Sequence, residues 1–242
     1  MNRREVLTLL GAAGVAWPVE AWAQQSGRIV TIGFLTVGAN FLRRDVLSQS
    51  LQALGWVEGK NTVFEFRGAE NRPDRLPELV AELVDLKVDV IIAVGTLAPL
   101  AAKRATTTIP IVLGAAGDPI GSGLVTSLSR PGGNITGLSL MSPDLGGKRL
   151  EILRDVIPGV SRVATLWNAA NPYPALVYRE TEVAARTLGI QVLSLEVRGP
   201  DDFDSALEAA IRQQPDALIA VEDPLTNEHK SKIIYFVVIC PR

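Results

Sequence analysis

The feature that most constrains the fold is a regular alternation of short apolar stretches with amphipathic ones along this 242-residue chain. Residues 76–84 carry apolar side chains three and four positions apart, which predicts a helix with one buried face. Residues 89–95 are almost continuously apolar, which is typical of a strand buried on both faces of a parallel sheet. In the first half we predict strands and helices in turn, at 28–35, 41–54, 62–66, 73–86, 89–95, 97–105 and 109–114. This order predicts βαβ units with right-handed crossovers and a three-layer α/β sandwich.

The alternation begins again in the second half of the chain. The predicted elements are a strand, a helix, a strand, a helix and a strand, at 161–168, 172–188, 190–197, 203–212 and 216–223. Asp216 follows the matching Asp89 by 127 residues, and Arg162 follows the matching Val30 by 132, so two similar strands recur in the same order. We therefore predict two Rossmann-like α/β lobes with parallel sheets, at 28–136 and 161–232, the second incomplete. A single long sheet is the alternative.

The amino terminus has the pattern of an export signal. Arg3 and Arg4 precede an apolar stretch at 6–17, and small residues at Ala21 and Ala23 flank a cleavage position. Because the apolar stretch is shorter than the roughly 20 residues of a membrane-spanning helix, a retained anchor is the weaker interpretation. We predict a signal peptide at 1–23, cleaved near Ala23, and a periplasmic mature protein. The paired arginines leave the twin-arginine and general export routes both open.

Composition excludes several classes of function. A formal net charge of −2 gives no basic surface for nucleic acid. The single cysteine, Cys240, cannot close an internal disulfide, and the single histidine, His229, lies in a polar stretch where we expect a solvated helix residue. Neither a catalytic triad nor a metal site can be assembled around His229, and the glycines at 114–123 match no phosphate or dinucleotide motif. We predict no enzyme activity and no cofactor.

Candidate binding residues lie where predicted strands end, because parallel sheets bind ligands beyond the carboxyl ends of their strands. Three Asx-Pro pairs, beginning at Asp118, Asn171 and Asp223, suit a helix N-cap followed by the first helical residue, so each predicts a helix start. Asp118 and Asp223 can accept from an ammonium or hydroxyl group of a polar ligand. Thr36 and Thr96 follow two strands and can donate to a ligand carboxylate. Helix capping alone is the alternative for each.

Two further features have open interpretations. Trp167 can stack on an aromatic ligand or pack in the core, and Phe34 has the same two roles available. The Gly- and Pro-rich stretch at 130–137 predicts a turn, followed by a strand at 135–140 that passes between the lobes. We predict a hinge, crossover and linking helix at 137–160. A rigid loop is the alternative.

Three segments resemble the ABC transporter substrate-binding protein family, close to its tryptophan and aromatic-amino-acid-binding branch. They begin at Gly55, Ala101 and Lys148 and include the motifs DRLP, ATTTIPIV and RPGGNITG. The resemblance implies a type I periplasmic-binding fold, in which two lobes joined by hinge strands hold a small ligand for delivery to a permease in the inner membrane. It also implies that Thr36, Thr96, Asp118, Asn168 and Asp223 surround the cleft.

The resemblance ends near Lys232. Family members continue well beyond this point, and by the internal repeat the partner of the strand at Ile109 is due near residue 236. We therefore expect a truncated second lobe, a divergent tail at 233–242 with exposed apolar surface, an unpaired sheet edge and weakened ligand binding. The leading hypothesis is a monomeric uptake protein for a small polar molecule, such as an amino acid. A sensor module of a signalling system and an α/β enzyme are the alternatives.

Overall fold

A computed structural model describes residues 28–38, 44–140 and 143–239, so the predicted signal peptide lies outside the described residues. Strands and helices alternate from Val30 to Ala116 and again from Ile135 to Ala220, as the sequence pattern predicts, but no helix separates the strand that ends at Ala116 from the one that begins at Ile135. The strands are β1 Val30–Thr36, β2 Thr62–Gly68, β3 Val90–Val94, β4 Ile111–Ala116, β5 Ile135–Ser139, β6 Arg162–Asn168, β7 Gln191–Val197 and β8 Ala217–Ala220. The helices are α1 Arg44–Ala53, α2 Leu76–Asp85, α3 Leu97–Ala105, α4 Leu145–Val156, α5 Pro172–Leu188, α6 Asp202–Gln213, α7 Pro224–Glu228 and α8 Lys230–Ile239, with a 3₁₀ turn at Pro73–Arg75.

The strands form two separate parallel sheets, which confirms the prediction of two α/β lobes over a single long sheet. The first sheet has the order β2-β1-β3-β4-β5, and the second has the order β7-β6-β8. In both lobes the first strand lies between the second and third strands of that lobe. The second lobe therefore repeats the topology of the first as far as β8.

Each lobe buries its own core because its helices turn an apolar face to the sheet. In α2 the predicted face is buried, and Leu83 is fully inaccessible in a cluster that contains Leu35 and Ile91. Helix α5 shows why the helix limits follow the sequence: the Asn171 side chain accepts from the Tyr173 N–H, Pro172 occupies the first turn, and Gly189 ends the helix at φ +69°. Burying one leucine side chain such as that of Leu83 contributes about 1.5–3 kcal/mol to the stability of the lobe.

Two aspartates give direct evidence of the internal repeat. Asp89, just before β3, accepts through Oδ2 from the Thr31 N–H of β1 at 2.8 Å. Asp216, just before β8, accepts from the Ser161 and Arg162 N–H groups at 2.7 and 2.9 Å. Each aspartate thus joins the third strand of its lobe to the start of the first. The same side chain performs the same hydrogen bonding in both lobes.

The passage between the lobes follows β5. This strand pairs with β4 in parallel, so the first sheet extends to Ser139. Helix α4 already belongs to the second lobe, since Leu150 packs with Val163 and Ile190. The first lobe therefore extends to Ser139, and the second lobe includes the helix that begins at Leu145.

Strand β8 lies at one end of the second sheet. Beside it runs a groove of about 820 Å³, lined by α6 residues and by Phe236 and Val237 of helix α8. Ile233 of α8 is buried, whereas Ile234 and Tyr235 are 60% and 67% exposed. Within the described ranges, no helix combines the length and apolar character that a membrane crossing needs.

Candidate ligand-binding site

A buried carboxylate stands at the carboxyl ends of the second sheet. Asp223 is 3% exposed, and its Oδ1 accepts from Asn168 Nδ2 and from the Leu225 N–H, both at 2.9 Å. Its Oδ2 accepts from Asn171 Nδ2 at 2.7 Å. Asn168 ends β6 and Asn171 begins α5, so three separate segments meet at this one side chain. Two asparagine amides thus hold the carboxylate in a fixed orientation.

The charge of Asp223 is not neutralised by an ion pair within the described residues. No lysine or arginine in the part of the chain that the structure describes forms an ion pair with it. Removing a carboxylate from water is costly unless donors or a cation compensate for the lost hydration. Three N–H donors supply part of that compensation. The site therefore favours a cationic group next to Asp223.

A small cavity between the lobes adjoins this carboxylate. It measures about 20 Å³ and is lined from the first lobe by Val37, Asn71, Pro73 and Leu97, and from the second by Asn168, Arg198, Asp223, Pro224 and Leu225. This volume holds one water-sized group. Two of the predicted site residues, Asn168 and Asp223, line it directly.

Each of the two predicted threonines precedes in sequence a residue that lines the cavity. Thr36 precedes Val37, and its hydroxyl donates to the Gly38 carbonyl at 3.1 Å. Thr96 precedes Leu97, is 3% exposed and begins α3 without a side-chain capping hydrogen bond. Both therefore lie at the carboxyl ends of first-lobe strands, near the cavity but not among its lining residues.

Asp118 departs from the prediction that it begins a helix. Its Oδ1 accepts from the Ile120 and Gly121 N–H groups at 3.1 and 2.9 Å and so stabilises a turn at 119–123. The backbone that follows Asp118 is not helical. It forms a tight turn that includes Gly123, whose φ is +74°. Asp118 does not line the cavity. The helix starts predicted at Asn171 and Asp223 are confirmed.

The lobes approach closely at glycines. A Cβ atom added to Gly117 would lie 2.2–2.6 Å from ring atoms of Tyr173, and one added to Gly121 would lie 2.8 Å from Leu176 Cδ1. Gly117 follows β4 in the first lobe, whereas Tyr173 begins α5 in the second. The Tyr173 ring therefore packs directly on the backbone of the opposite lobe.

Phe34 and Trp167 are core residues, although the sequence alone also allowed them to stack on a ligand. Phe34 is 1% exposed and stacks on Phe66 with ring centroids 4.6 Å apart. Trp167 stacks on Tyr178 at 4.9 Å, and its Nε1 donates to Ser194 Oγ at 2.9 Å. Burial raises the pKa of Tyr178 above its usual value. Both rings fill protein interior, as the core interpretation predicted.

His229, expected to be a solvated helix residue, is half-buried. Its ring stacks on Phe203 with centroids 4.3 Å apart, and its Nδ1 lies 2.9 Å from the Leu225 carbonyl oxygen. The polar sequence around it did not indicate this contact, because it depends on α7 packing against α6.

Sequence reasoning missed three residues of the site. Asn171 was predicted as a helix cap and also binds Asp223. Asn71 and Arg198 line the cavity from the segments that follow β2 and β7. Each follows the carboxyl end of a strand, so the rule that located Thr36 and Thr96 could have included them.

Comparisons with known proteins agree with this architecture. A family model described as ABC transporter substrate binding protein matches residues 29–235. A tyrosine-binding protein of Clostridioides difficile (strain R20291) is 27% identical over 197 residues, covering 77% of this chain and 56% of the relative. The chain thus spans just over half the length of that relative.

Solved structures show the same fold. A conserved domain protein from Vibrio cholerae is similar with a TM-score of 0.80 and 25% identity, over 88% of this chain and 72% of that one. An ABC domain in complex with L-Trp from Streptococcus pneumonia has a TM-score of 0.76 and 21% identity, over 86% of this chain and 70% of that one. A leucine-binding protein from Thermotoga maritima is similar with a TM-score of 0.61, and the match covers 79% of this chain and 56% of that one.

Proposed function

Because the chain belongs to the ABC transporter substrate-binding protein family, we propose that it captures an amino acid between its two lobes and presents it to a permease in the inner membrane. The observation that carries this proposal is the buried Asp223 carboxylate, which accepts from three N–H donors and forms no ion pair with a lysine or arginine of the described residues. A ligand α-ammonium supplies the missing positive charge. Family membership identifies a binding protein and not an enzyme, as the sequence predicted.

The opposite end of an amino acid needs hydrogen-bond donors. In the first lobe, Thr96 begins α3 without a side-chain capping hydrogen bond, so its hydroxyl can donate to a ligand. Thr36 would first exchange its present hydrogen bond to the Gly38 carbonyl for one to the ligand. We assign the ligand carboxylate to this first-lobe side and the ammonium to the Asn168–Asp223 side. Such an arrangement makes a zwitterion bridge the two lobes, so contacts from both lobes form together only when they close.

The side chain of the proposed ligand is aromatic. The relatives support this choice: one is described as a tyrosine-binding protein, and a structure with the same fold contains L-Trp. The cavity between the lobes has room for only one water-sized group. A whole amino acid therefore enters after the lobes separate, which fits a protein that works by opening and closing in the periplasm.

Isothermal titration calorimetry tests the proposal. We expect tryptophan or tyrosine to bind more tightly than glutamate or a sugar, and Asp223→Asn to abolish binding because it removes the only charge offered to the ammonium. Asp204→Asn, on the surface of α6, is the matched control and should bind as the wild type does. The sequence-based expectation of weakened binding is settled by the same titration. Failure of every amino acid to bind would remove the proposal.

A further inference from the structure

Asn71 carries a buried polar atom that the first lobe leaves unpaired. Its Oδ1 is inaccessible to solvent and has no hydrogen-bond partner among the described residues. Its backbone N–H donates to the Val37 carbonyl at 2.7 Å, which fixes this segment to the end of β1. A buried acceptor without a donor is destabilising unless something else supplies one. The unpaired oxygen therefore indicates a missing donor group.

The backbone at Asn71 does not require an amide side chain. Asn71 has φ +58° and the preceding Glu70 has φ +53°, a left-handed conformation that glycine adopts without steric cost. Glu70 is exposed and its carboxylate pairs with Arg75 at 2.8 Å, so it takes no part in the cavity. Glu70 and Asn71 share the same backbone conformation, but their side chains have different surroundings. Only Asn71 faces the space between the lobes.

The cavity places Asn71 in the same small space as Asp223. Asn71 lines it from the first lobe and Asp223 from the second. The two sides are close: a Cβ atom added to Gly38 would lie 3.2 Å from Asn71 Oδ1 and 3.7 Å from Pro224 Cβ. Arg198 also lines this volume of about 20 Å³, but its side chain is 67% exposed and pairs with Glu196 at 3.6 Å. The carboxylate and the amide oxygen suit one small group with several N–H donors. A primary ammonium group has three such donors.

We propose that Asn71 is the first-lobe residue that binds the ligand's ammonium group, opposite Asp223 of the second lobe. This inference rests on the proposed function and adds to it a requirement for a free amine on the ligand. Because the two acceptors belong to different lobes, one ammonium group satisfies both only when the lobes are closed. Asn71 thereby makes closure of the lobes depend on the ligand's amine, and the protein binds ligands without an amine more weakly.

The test compares three variants in calorimetry with tryptophan and its des-amino analogue, indole-3-propionate. Asn71→Gly removes the carboxamide and keeps the backbone conformation, and Asn71→Asp keeps an acceptor oxygen at the same position. Glu70→Gly is the matched control, since it changes a neighbour of the same φ that does not line the cavity. Thermal unfolding of each variant confirms that it is folded.

We expect Asn71→Gly to weaken tryptophan binding about 10- to 100-fold, the effect of losing a hydrogen bond to a charged group. The affinity for indole-3-propionate should stay unchanged, so the preference for the amine shrinks. Asn71→Asp and Glu70→Gly should both keep that preference.

Two results would overturn the inference while leaving the proposed function intact. One is wild-type affinity of Asn71→Gly for tryptophan, and the other is an equal loss of affinity for tryptophan and its des-amino analogue. If the wild-type protein binds no amino acid at all, the proposed function fails, and this inference fails with it.

Discussion

The contact between Gly117 and Tyr173 makes closure of the lobes sensitive to a single methyl group. In Gly117→Ala, the new Cβ would lie 2.2–2.6 Å from the Tyr173 ring, whereas carbon atoms pack best at about 3.5–4.0 Å. The ring belongs to the opposite lobe and is buried, so it cannot simply swing into solvent. Gly117 is outside the left-handed region, and alanine is therefore compatible with its backbone. We expect the lobes to separate in this variant.

The size of the effect follows from the overlap. Forcing an extra methyl group into a packed contact costs about 1–3 kcal/mol. Because each lobe has its own core, this cost falls on the closed arrangement and leaves the unfolding of each lobe nearly unchanged. A penalty of that size shifts the closed–open equilibrium by about 5- to 150-fold. Ligand affinity should fall by up to the same factor, since only the closed form makes contacts from both lobes.

Small-angle X-ray scattering and calorimetry measure the two consequences. Gly117→Ala should raise the radius of gyration and weaken ligand binding, while its urea unfolding curve matches the wild type. Gly199→Ala is the control, because its Cβ would have no neighbour within 4 Å. In a Tyr173→Ala background, where the ring is absent, Gly117→Ala should have little further effect on closure of the lobes. If Gly117→Ala leaves both the radius of gyration and the ligand affinity unchanged, the Gly117–Tyr173 contact does not control closure of the lobes.

Three further predictions concern stability. Asp223→Ala leaves the amides of Asn168 and Asn171 without their acceptor and should lower the free energy of unfolding by about 2–4 kcal/mol, measured in urea; a change near zero would contradict this. Asp216→Ala removes the acceptor of two backbone N–H groups and should cost about 1.5–3 kcal/mol in the same assay, whereas Glu208→Ala, in an exposed i,i+4 pair, should change little. Burial raises the pKa of Tyr178, so the folded protein holds that proton more tightly; this contribution is present below the ordinary tyrosine pKa and is lost as pH rises above it. Tyr178→Phe should remove that part of the alkaline loss of stability, and identical pH profiles for both proteins would contradict the assignment.

Local sequence was sufficient for those elements whose limits depend on neighbouring residues. Helix α5 begins at Pro172 and ends at Leu188, as predicted, because Asn171 and Gly189 determine both ends through short-range backbone chemistry. Asp118 shows where the same rule stops. An Asx-Pro pair supplies a cap for the next few N–H groups, but whether a helix continues depends on the residues that follow and on how they pack. At 119–123 the outcome is a turn.

The ligand site shows the same division. The sequence located Asp223 because it forms an Asx-Pro pair after a strand of the second lobe, and the family resemblance located Asn168. It did not indicate that Asn171 binds Asp223, or that Asn71 faces the cavity from the other lobe. Those relations join residues distant in the chain, and the apolar periodicity that identifies strands carries no information about which strand ends meet.

By itself, the sequence determined the α/β class, the two repeated lobes and the order of their elements, because hydrophobic periodicity and capping residues act over a few positions. How the lobes face one another depends on contacts between residues far apart in the chain, such as Tyr173 on Gly117, and so became visible only in the folded molecule. The same is true of the burial of Asp223, because the sequence gives the charge of a side chain but not its surroundings.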